Sequence, residues 1–115
     1  MKKEKEHVIY PHQIFDSIYI MYWMLLYERK EINNKDFKWI IGKDNFSVLK
    51  NNVSYSALIQ EDNGEKTIQG FEFEIDEQNP IRFDLFENGE NISDKIKFVP
   101  PHKLQKFIEA YMKSH

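Results

Sequence analysis

Carboxylates are the residues of this chain whose type and spacing point most clearly to a chemical role. Residues 61–94 carry eleven of them and only two basic side chains, Lys66 and Arg82, which is a formal charge of −9. Residues 1–60 sum to +2 and residues 95–115 to +4, so the overall charge of −3 conceals a polarised chain. Such a concentration of negative charge attracts cations and basic protein surfaces and repels nucleic acid.

Four of these acids are predicted to share one face of a β-sheet. Glu72, Glu74 and Asp76 alternate with apolar residues, and alternate side chains of a strand project from one face at roughly 7 Å spacing. Asp84 has the same phase on the next predicted strand. The first interpretation of these four carboxylates is a solvated outer face. The second, on which our functional prediction depends, is a docking surface for a basic protein partner. A calcium or magnesium site is the weakest interpretation, because the chain lacks an Asp-x-Asp-x-Asp-Gly loop.

No motif of a known enzyme or cofactor site is present. The four histidines, His7, His12, His102 and His115, do not have the spacing of metal ligands, and G-x-S-x-G, Walker A and G-x-G-x-x-G sequences are absent. The absence of cysteine excludes thiol catalysis, disulfides and cysteine-based zinc sites. We therefore predict no catalytic, metal or cofactor-binding residue and no enzymatic activity.

A predicted helix over residues 12–30 is apolar nearly all round. It contains Tyr19, Tyr22, Trp23 and Tyr27, whose apolar bodies and polar tips are typical of interfaces. Core packing is the first interpretation. A homodimer or partner interface is the second interpretation, because one sheet face cannot cover apolar side chains that surround the helix on nearly all sides. The uncharged stretch of eleven residues in this helix is short of the roughly 20 that a membrane span needs.

The order of elements predicts a charged N-terminal tail at residues 1–10 and a single α+β domain at 11–115. We expect an antiparallel four- to five-stranded meander, packed by an N-terminal aromatic-rich helix and a C-terminal amphipathic helix. The elements after the first helix are predicted as follows: a short helix at 35–41 (or a strand at 37–41), strands at 46–50 and 53–60, a strand at 66–76 with a bulge at Gly70, strands at 81–86 and 95–99, and a helix after Pro100-Pro101.

The alternation of the central strands predicts which of their faces is covered, because period-2 patterning leaves one sheet face buried and the other wet. Six apolar residues should lie on the covered face: Phe71, Phe73, Ile75, Ile81, Phe83 and Leu85.

Composition narrows the source and compartment. Lysine outnumbers arginine fourteen to two, which is typical of AT-rich genomes and suggests a bacterium or one of its phages. The lack of cysteine and of a secretory signal favours the cytoplasm. We therefore predict a small non-enzymatic binding protein, an inhibitor or accessory factor such as a phage antagonist of a host nuclease or an immunity protein against a basic toxin. The alternative is a small enzyme or ligand-binding domain with a pocket between the first helix and the sheet.

Overall fold

The computed structural model describes residues 13–96 and 99–114, which form three α-helices and a six-stranded mixed sheet. The elements are α1 Ile14–Arg29, β1 Phe37–Gly42, α2 Lys43–Asn51, β2 Ile59–Asp62, β3 Glu65–Ile68, β4 Phe71–Asp76, β5 Phe83–Glu87, β6 Glu90–Asn91 and α3 Pro101–Ser114. The predicted tail at residues 1–10 lies outside the described residues.

The sheet is not a meander, because β1 lies between β4 and β5. The strand order is β2-β3-β4-β1-β5-β6, with β1 parallel to β4 and antiparallel to β5. The α+β class is confirmed, but the prediction of four or five antiparallel strands is wrong in number and in connectivity. Local patterning indicates strands and faces, whereas the choice of neighbours depends on which strand is apolar enough to occupy the centre.

The prediction of a short helix over 35–41 is also wrong, and the alternative of a strand is correct. Asn33 does cap a helical turn, since its side-chain oxygen accepts from Lys35 N at 3.1 Å, but only the three residues Asn34–Asp36 are helical. The following residues are almost continuously buried in β1, as expected of a central strand that is covered by neighbours on both sides.

The strands predicted at 46–50 and 53–60 are replaced largely by helical structure. Residues 46–50 lie within α2, where Phe46 and Leu49 are spaced to face the core together. Asn52 then forms a turn: its carbonyl accepts from Tyr55 N and Ser56 N at 3.0 and 2.9 Å. Extended structure begins only with β2.

Three tight turns join the remaining strands. Asn63-Gly64 and Asn88-Gly89 have positive φ at both positions, as two-residue hairpin turns require, and both were predicted as turns. Gln69-Gly70 has the same geometry, with φ of 52° and 85°. The predicted bulge at Gly70 is therefore a hairpin turn that divides the predicted strand 66–76 into β3 and β4.

The last predicted strand, at 95–99, is not seen in the residues that the structure describes. Lys95 and Ile96 lie in a turn and a bend, closed by a hydrogen bond from Lys95 N to Ile92 O at 2.9 Å, and Val99 is irregular. Residues 97–98 lie outside the described residues. The helix predicted after Pro100-Pro101 is confirmed as α3, with Leu104 on its buried side.

The aromatic helix α1 is buried on two sides. Ile14, Ile18 and Leu25 join the main core against the sheet, whereas Trp23 and Leu26 pack against α3. The apolar side chains around this helix, which suggested a second subunit, are therefore largely covered by other parts of the same chain. No helix in the described part of the chain is long and apolar enough to cross a membrane.

The predicted covered face is confirmed in part. Phe71, Phe83 and Leu85 are completely buried, Phe73 is half-buried, and Ile75 at the end of β4 is 39% exposed. Ile81 is half-buried but precedes β5. Burial along this face therefore decreases from the start of β4 to its end.

This gradient predicts a graded loss of stability along β4. Phe71→Ala should lower the free energy of unfolding by about 3–5 kcal/mol, because the ring is fully enclosed by Tyr22, Phe37 and Trp39. Phe73→Ala should cost less, and the matched control Ile75→Ala about 1 kcal/mol or less. Urea denaturation measures all three, and equal losses for Phe71→Ala and Ile75→Ala would contradict the register of β4.

Candidate functional site

One face of the sheet carries no helix within the described residues. The side chains of Phe37, Trp39 and Ile41 in β1 point toward α1 and α2, so Lys38 and Ile40 point to the opposite face. We call this second side the open sheet face. It contains the alternate residues of β4 and β5, which are the acidic residues predicted as a docking surface.

Two of the four predicted acids are presented to solvent on this face. Glu72 lies opposite Lys38 in the parallel pairing of β1 and β4, and Glu74 lies opposite Ile40. Both glutamates are exposed. The Lys38 ammonium lies 3.4 Å from a carboxylate oxygen of Glu74, but this pair is open to water and therefore contributes little stability. These two carboxylates remain available to a partner.

The other two predicted acids, Asp76 and Asp84, are bound to Arg82. The guanidinium donates from Nε to Asp84 Oδ2 at 2.7 Å and from Nη1 to Asp76 Oδ2 at 3.0 Å. Asp84 is completely buried and also accepts from Ser93 Oγ at 3.4 Å, while the Asp76 side chain is only 15% exposed. The alternation in the sequence correctly predicted that all four acids share one face, but it did not distinguish exposed acids from buried ones. The missed signal was Arg82, two residues before Asp84 and therefore on the same face.

Asp76 also organises the loop that connects β4 to β5. Its carboxylate accepts from the backbone N–H groups of Gln78 and Asn79 at 2.9 and 3.1 Å and from Asn79 Nδ2 at 3.0 Å. The side-chain hydrogen bonds from Asn79 and then Arg82 lower the pKa of Asp76 from 3.8 to about 2. Asp76 therefore has a structural task, and neutralising it would disturb the loop as well as the surface charge.

Two apolar residues of the open sheet face, Ile40 and Phe86, lie among its charged side chains, with Ile40 between Glu74 and Asp84. Ile40 is 9% exposed, and Phe86, which lies opposite Lys38 in the pairing of β1 and β5, is half-buried. Two shallow depressions of about 350 and 340 Å³ border Ile40, one beside Glu74 and Arg82 and the other beside Glu72 and Phe86. The face thus combines apolar and charged groups, as many protein interfaces do.

The four aromatic residues predicted as an oligomer interface have separate environments. Trp23 is buried against Phe107 and Tyr111 of α3. Tyr22 and Tyr27 are half-buried, and Tyr19 is 38% exposed. Only Tyr19 therefore remains well exposed for contact with a second molecule, and the neighbouring Ile20, at 41% exposure, joins it.

Metal-binding geometry is not found among the described residues. No group of three or more histidine, aspartate or glutamate side chains there is arranged to hold an ion. His102 is exposed at the start of α3, and His7, His12 and His115 lie outside the described residues. The space between α1 and the sheet, where a pocket was the alternative expectation, is filled by side chains of the main core.

Comparison with known proteins found no match to a family model, to a curated protein or to a solved structure.

The contacts of Asp76 predict a pH-dependent contribution to stability. Because its folded pKa is depressed, the charged carboxylate stabilises the fold above the unfolded pKa, and this contribution is lost as the pH falls from 3.8 toward about 2. Asp76→Asn should therefore lower the free energy of unfolding by about 1–2 kcal/mol at neutral pH and by less near pH 2. Urea denaturation across this range measures the difference, with the exposed neighbour Glu77→Gln as control. A difference that stays constant with pH would contradict the assignment.

Proposed function

We propose that the chain is a small non-enzymatic binding protein that presents the open sheet face to a basic protein partner. The observation that supports this most strongly is the one-sided packing of the sheet. The helices cover one face, and the other exposes Glu72 and Glu74 beside Ile40 and Phe86. Such a face offers charge for orientation and the half-buried Phe86 as an apolar contact.

The retained charge favours a partner rich in lysine and arginine. Arg82 binds the two inner acids, so the outer ones define the solvent-exposed charge: Glu72 and Glu74 on β4, and Glu65 on the adjacent β3, which is also exposed. Glu72 and Glu74 stand at the roughly 7 Å spacing of alternate strand residues. Such a row can meet cationic side chains that otherwise contact phosphates. A nucleic-acid-binding protein inhibited by this chain is the partner class we favour, as a phage antagonist of a host nuclease or an immunity protein would require.

The charge of this face should control association with the partner. Glu72→Gln with Glu74→Gln removes two charges and preserves shape, so the fold should be retained. Affinity should fall at least tenfold, or about 1.4 kcal/mol, with most of the loss in the association rate at low salt. The partner is first isolated with the wild-type chain from the native host, and calorimetry and stopped-flow mixing at two salt concentrations then measure the effect.

A matched control separates the role of the face from that of net charge. Glu28→Gln with Glu109→Gln removes the same two charges from exposed positions on α1 and α3. This control should bind normally. Equal weakening by both double variants would assign the effect to overall charge. An unchanged affinity of the Glu72 and Glu74 double variant would contradict the proposal and would show that the open sheet face is only a solvated surface.

We also propose that the chain self-associates through the exposed edge of α1. Tyr19 and Ile20 border an apolar groove of about 270 Å³ that continues to Leu104 and Ile108 of α3. Burying this strip against a second copy would remove the largest apolar exposure of α1 from water. The proposed interface is narrower than the aromatic set predicted from the sequence, since Trp23 is already enclosed by α3.

Replacing Ile20 with a charged residue should prevent this association. The wild-type chain should sediment as a dimer at micromolar concentrations, and Ile20→Lys should sediment as a monomer with an unchanged circular dichroism spectrum. Met112→Lys is the control, because Met112 is 66% exposed on α3 and outside this groove. A wild-type chain that is monomeric at all concentrations would exclude the proposal.

A further inference from the structure

Two Asn-Gly dipeptides occur in this chain, and both form tight turns at the surface. Asn63-Gly64 joins β2 to β3, and Asn88-Gly89 joins β5 to β6. All four residues are exposed. Asparagine is a chemically labile residue, because the backbone nitrogen of the next residue can attack its side-chain amide. A following glycine leaves that nitrogen without a neighbouring Cβ. Both turns therefore have the residue types that favour deamidation.

The structure leaves open space around both of these glycines. A Cβ added at Gly64 or Gly89 would meet no non-adjacent residue within 4 Å, whereas one at Gly70 would lie 2.8 Å from the amide nitrogen of Asn34. The turn at Gly70 has the same positive φ at both positions but carries Gln69 in place of asparagine. A glutamine side chain must close a larger ring to react with the next nitrogen. The chain thus contains two reactive turns and an internal reference of similar backbone geometry.

The Asn88-Gly89 turn differs from Asn63-Gly64 in its surroundings. Its two residues border the depression of about 340 Å³ on the open sheet face. The Asn88 N–H donates to Asp36 O at 2.8 Å, which holds the turn against the segment before β1. Asn63 and Gly64 lie at the opposite edge of the sheet, since the strand order is β2-β3-β4-β1-β5-β6. A change of charge at Asn88 therefore acts on the open sheet face, and the same change at Asn63 acts far from this depression.

The depression beside Asn88 has no net formal charge. Lys35 and Lys38 contribute +2 to its lining, and Asp36 and Glu72 contribute −2. Converting the Asn88 amide to a carboxylate would change this sum from zero to −1. The two lysines of the lining offset the repulsion between the new carboxylate and the existing acids. The fold should therefore tolerate the added charge.

We propose that the Asn88-Gly89 turn deamidates spontaneously in the folded chain and thereby adds a carboxylate to the open sheet face. The Gly89 nitrogen gives its proton to water and attacks Cγ of Asn88. A bond forms between this nitrogen and Cγ, the bond from Cγ to Nδ2 breaks, and Nδ2 leaves as ammonia. Water then adds to either carbonyl of the resulting succinimide ring and opens it to aspartate or isoaspartate. Water is consumed, ammonia is released, and neither oxidation nor reduction takes place.

Deamidation of Asn88 would regulate partner binding, a consequence that rests on the proposed function of the open sheet face. The aspartate product keeps the backbone length, and aspartate also accepts the positive φ of this turn. It should therefore add attraction for a basic partner without loss of shape. The isoaspartate product carries the same charge but lengthens the backbone inside a two-residue turn. Binding by the chain would thus change with its age.

The conversion is tested on the full-length chain alone, without any partner. The protein is incubated in H₂¹⁸O at neutral pH and physiological temperature for several weeks, and peptide fragments are then analysed by mass spectrometry. Asn88 should convert roughly tenfold faster than Asn52 or more, because the branched Val53 obstructs the nitrogen after Asn52. It should also convert faster than Gln69. Incorporation of ¹⁸O shows that water opened the ring during the incubation.

Two results would overturn the proposal. An Asn88 amide that persists as long as the Asn52 amide would show that the turn does not react. Conversion of Asn63 without conversion of Asn88 would show that the hydrogen bond to Asp36 O protects the second turn. As a control, Asn88→Gln should abolish conversion at this position while Asn63 still converts. Continued release of ammonia from residue 88 in that variant would contradict the proposed ring closure.

A second variant measures the effect on binding. Asn88→Asp supplies the carboxylate without the reaction and should raise the association rate with the basic partner about two- to fivefold at low salt. Asn63→Asp adds the same charge at the opposite edge of the sheet and should have a smaller effect. Equal effects of both variants would assign the change to overall charge and overturn the regulatory role. A partner that is indifferent to the Glu72 and Glu74 double variant would contradict the proposed function, whereas the mass spectrometry result would stand.

Discussion

The architecture depends on the position of β1 between β4 and β5. Because β1 separates them, the loop at residues 77–82 must cross the end of β1 over roughly two strand spacings, or about 10 Å. The crossing is close: a side chain at Gly42 would place its first carbon 2.2 Å from the carbonyl oxygen of Pro80. That carbonyl accepts from Asp44 N at 3.0 Å and Asn45 N at 3.3 Å, so the same loop also caps α2. Glycine at position 42 is therefore a requirement of packing, not of backbone conformation.

The crossing loop also divides the acidic residues into two groups. Arg82 at its end reaches both Asp76 and Asp84, so these carboxylates are paired in the sheet rather than presented to solvent. A buried carboxylate requires such a partner, since an uncompensated charge in a sheet would be very costly. The acids beyond the reach of Arg82, notably Glu72 and Glu74, keep their charge at the surface. The loop thus stabilises the centre of the sheet and leaves a charged rim on the open sheet face.

The helices place a second kind of surface on the opposite side of the molecule. Because α3 covers part of α1 that the sheet does not reach, Trp23 is buried within one chain, and Tyr22 and Tyr27 are half-buried. Where α1 ends, a cleft lined by Lys30 and Glu31 lies beside α3. An acidic sheet face and a cleft between helices therefore lie on opposite sides of a chain of 115 residues.

Local signals in the sequence determined the turns, the faces of the strands and the two long helices. Asn63-Gly64 and Asn88-Gly89 are tight turns because asparagine and glycine accept positive φ. Strict alternation along β4 directs Glu72 and Glu74 away from the core, and this direction does not depend on which strands are its neighbours. Phe46, by contrast, fits a strand or a helix equally well, because a short apolar run has no distinctive period.

Only the tertiary structure decided which strands are neighbours and which acids are free. The insertion of β1 results from competition among strands for the buried centre, a non-local choice that no short pattern records. The burial of Asp84 follows from its contact with Arg82 across the face, and the cleft at Lys30 forms only where α1 and α3 meet. Sequence therefore determined the direction of side chains, and tertiary packing determined which of them remain available for binding.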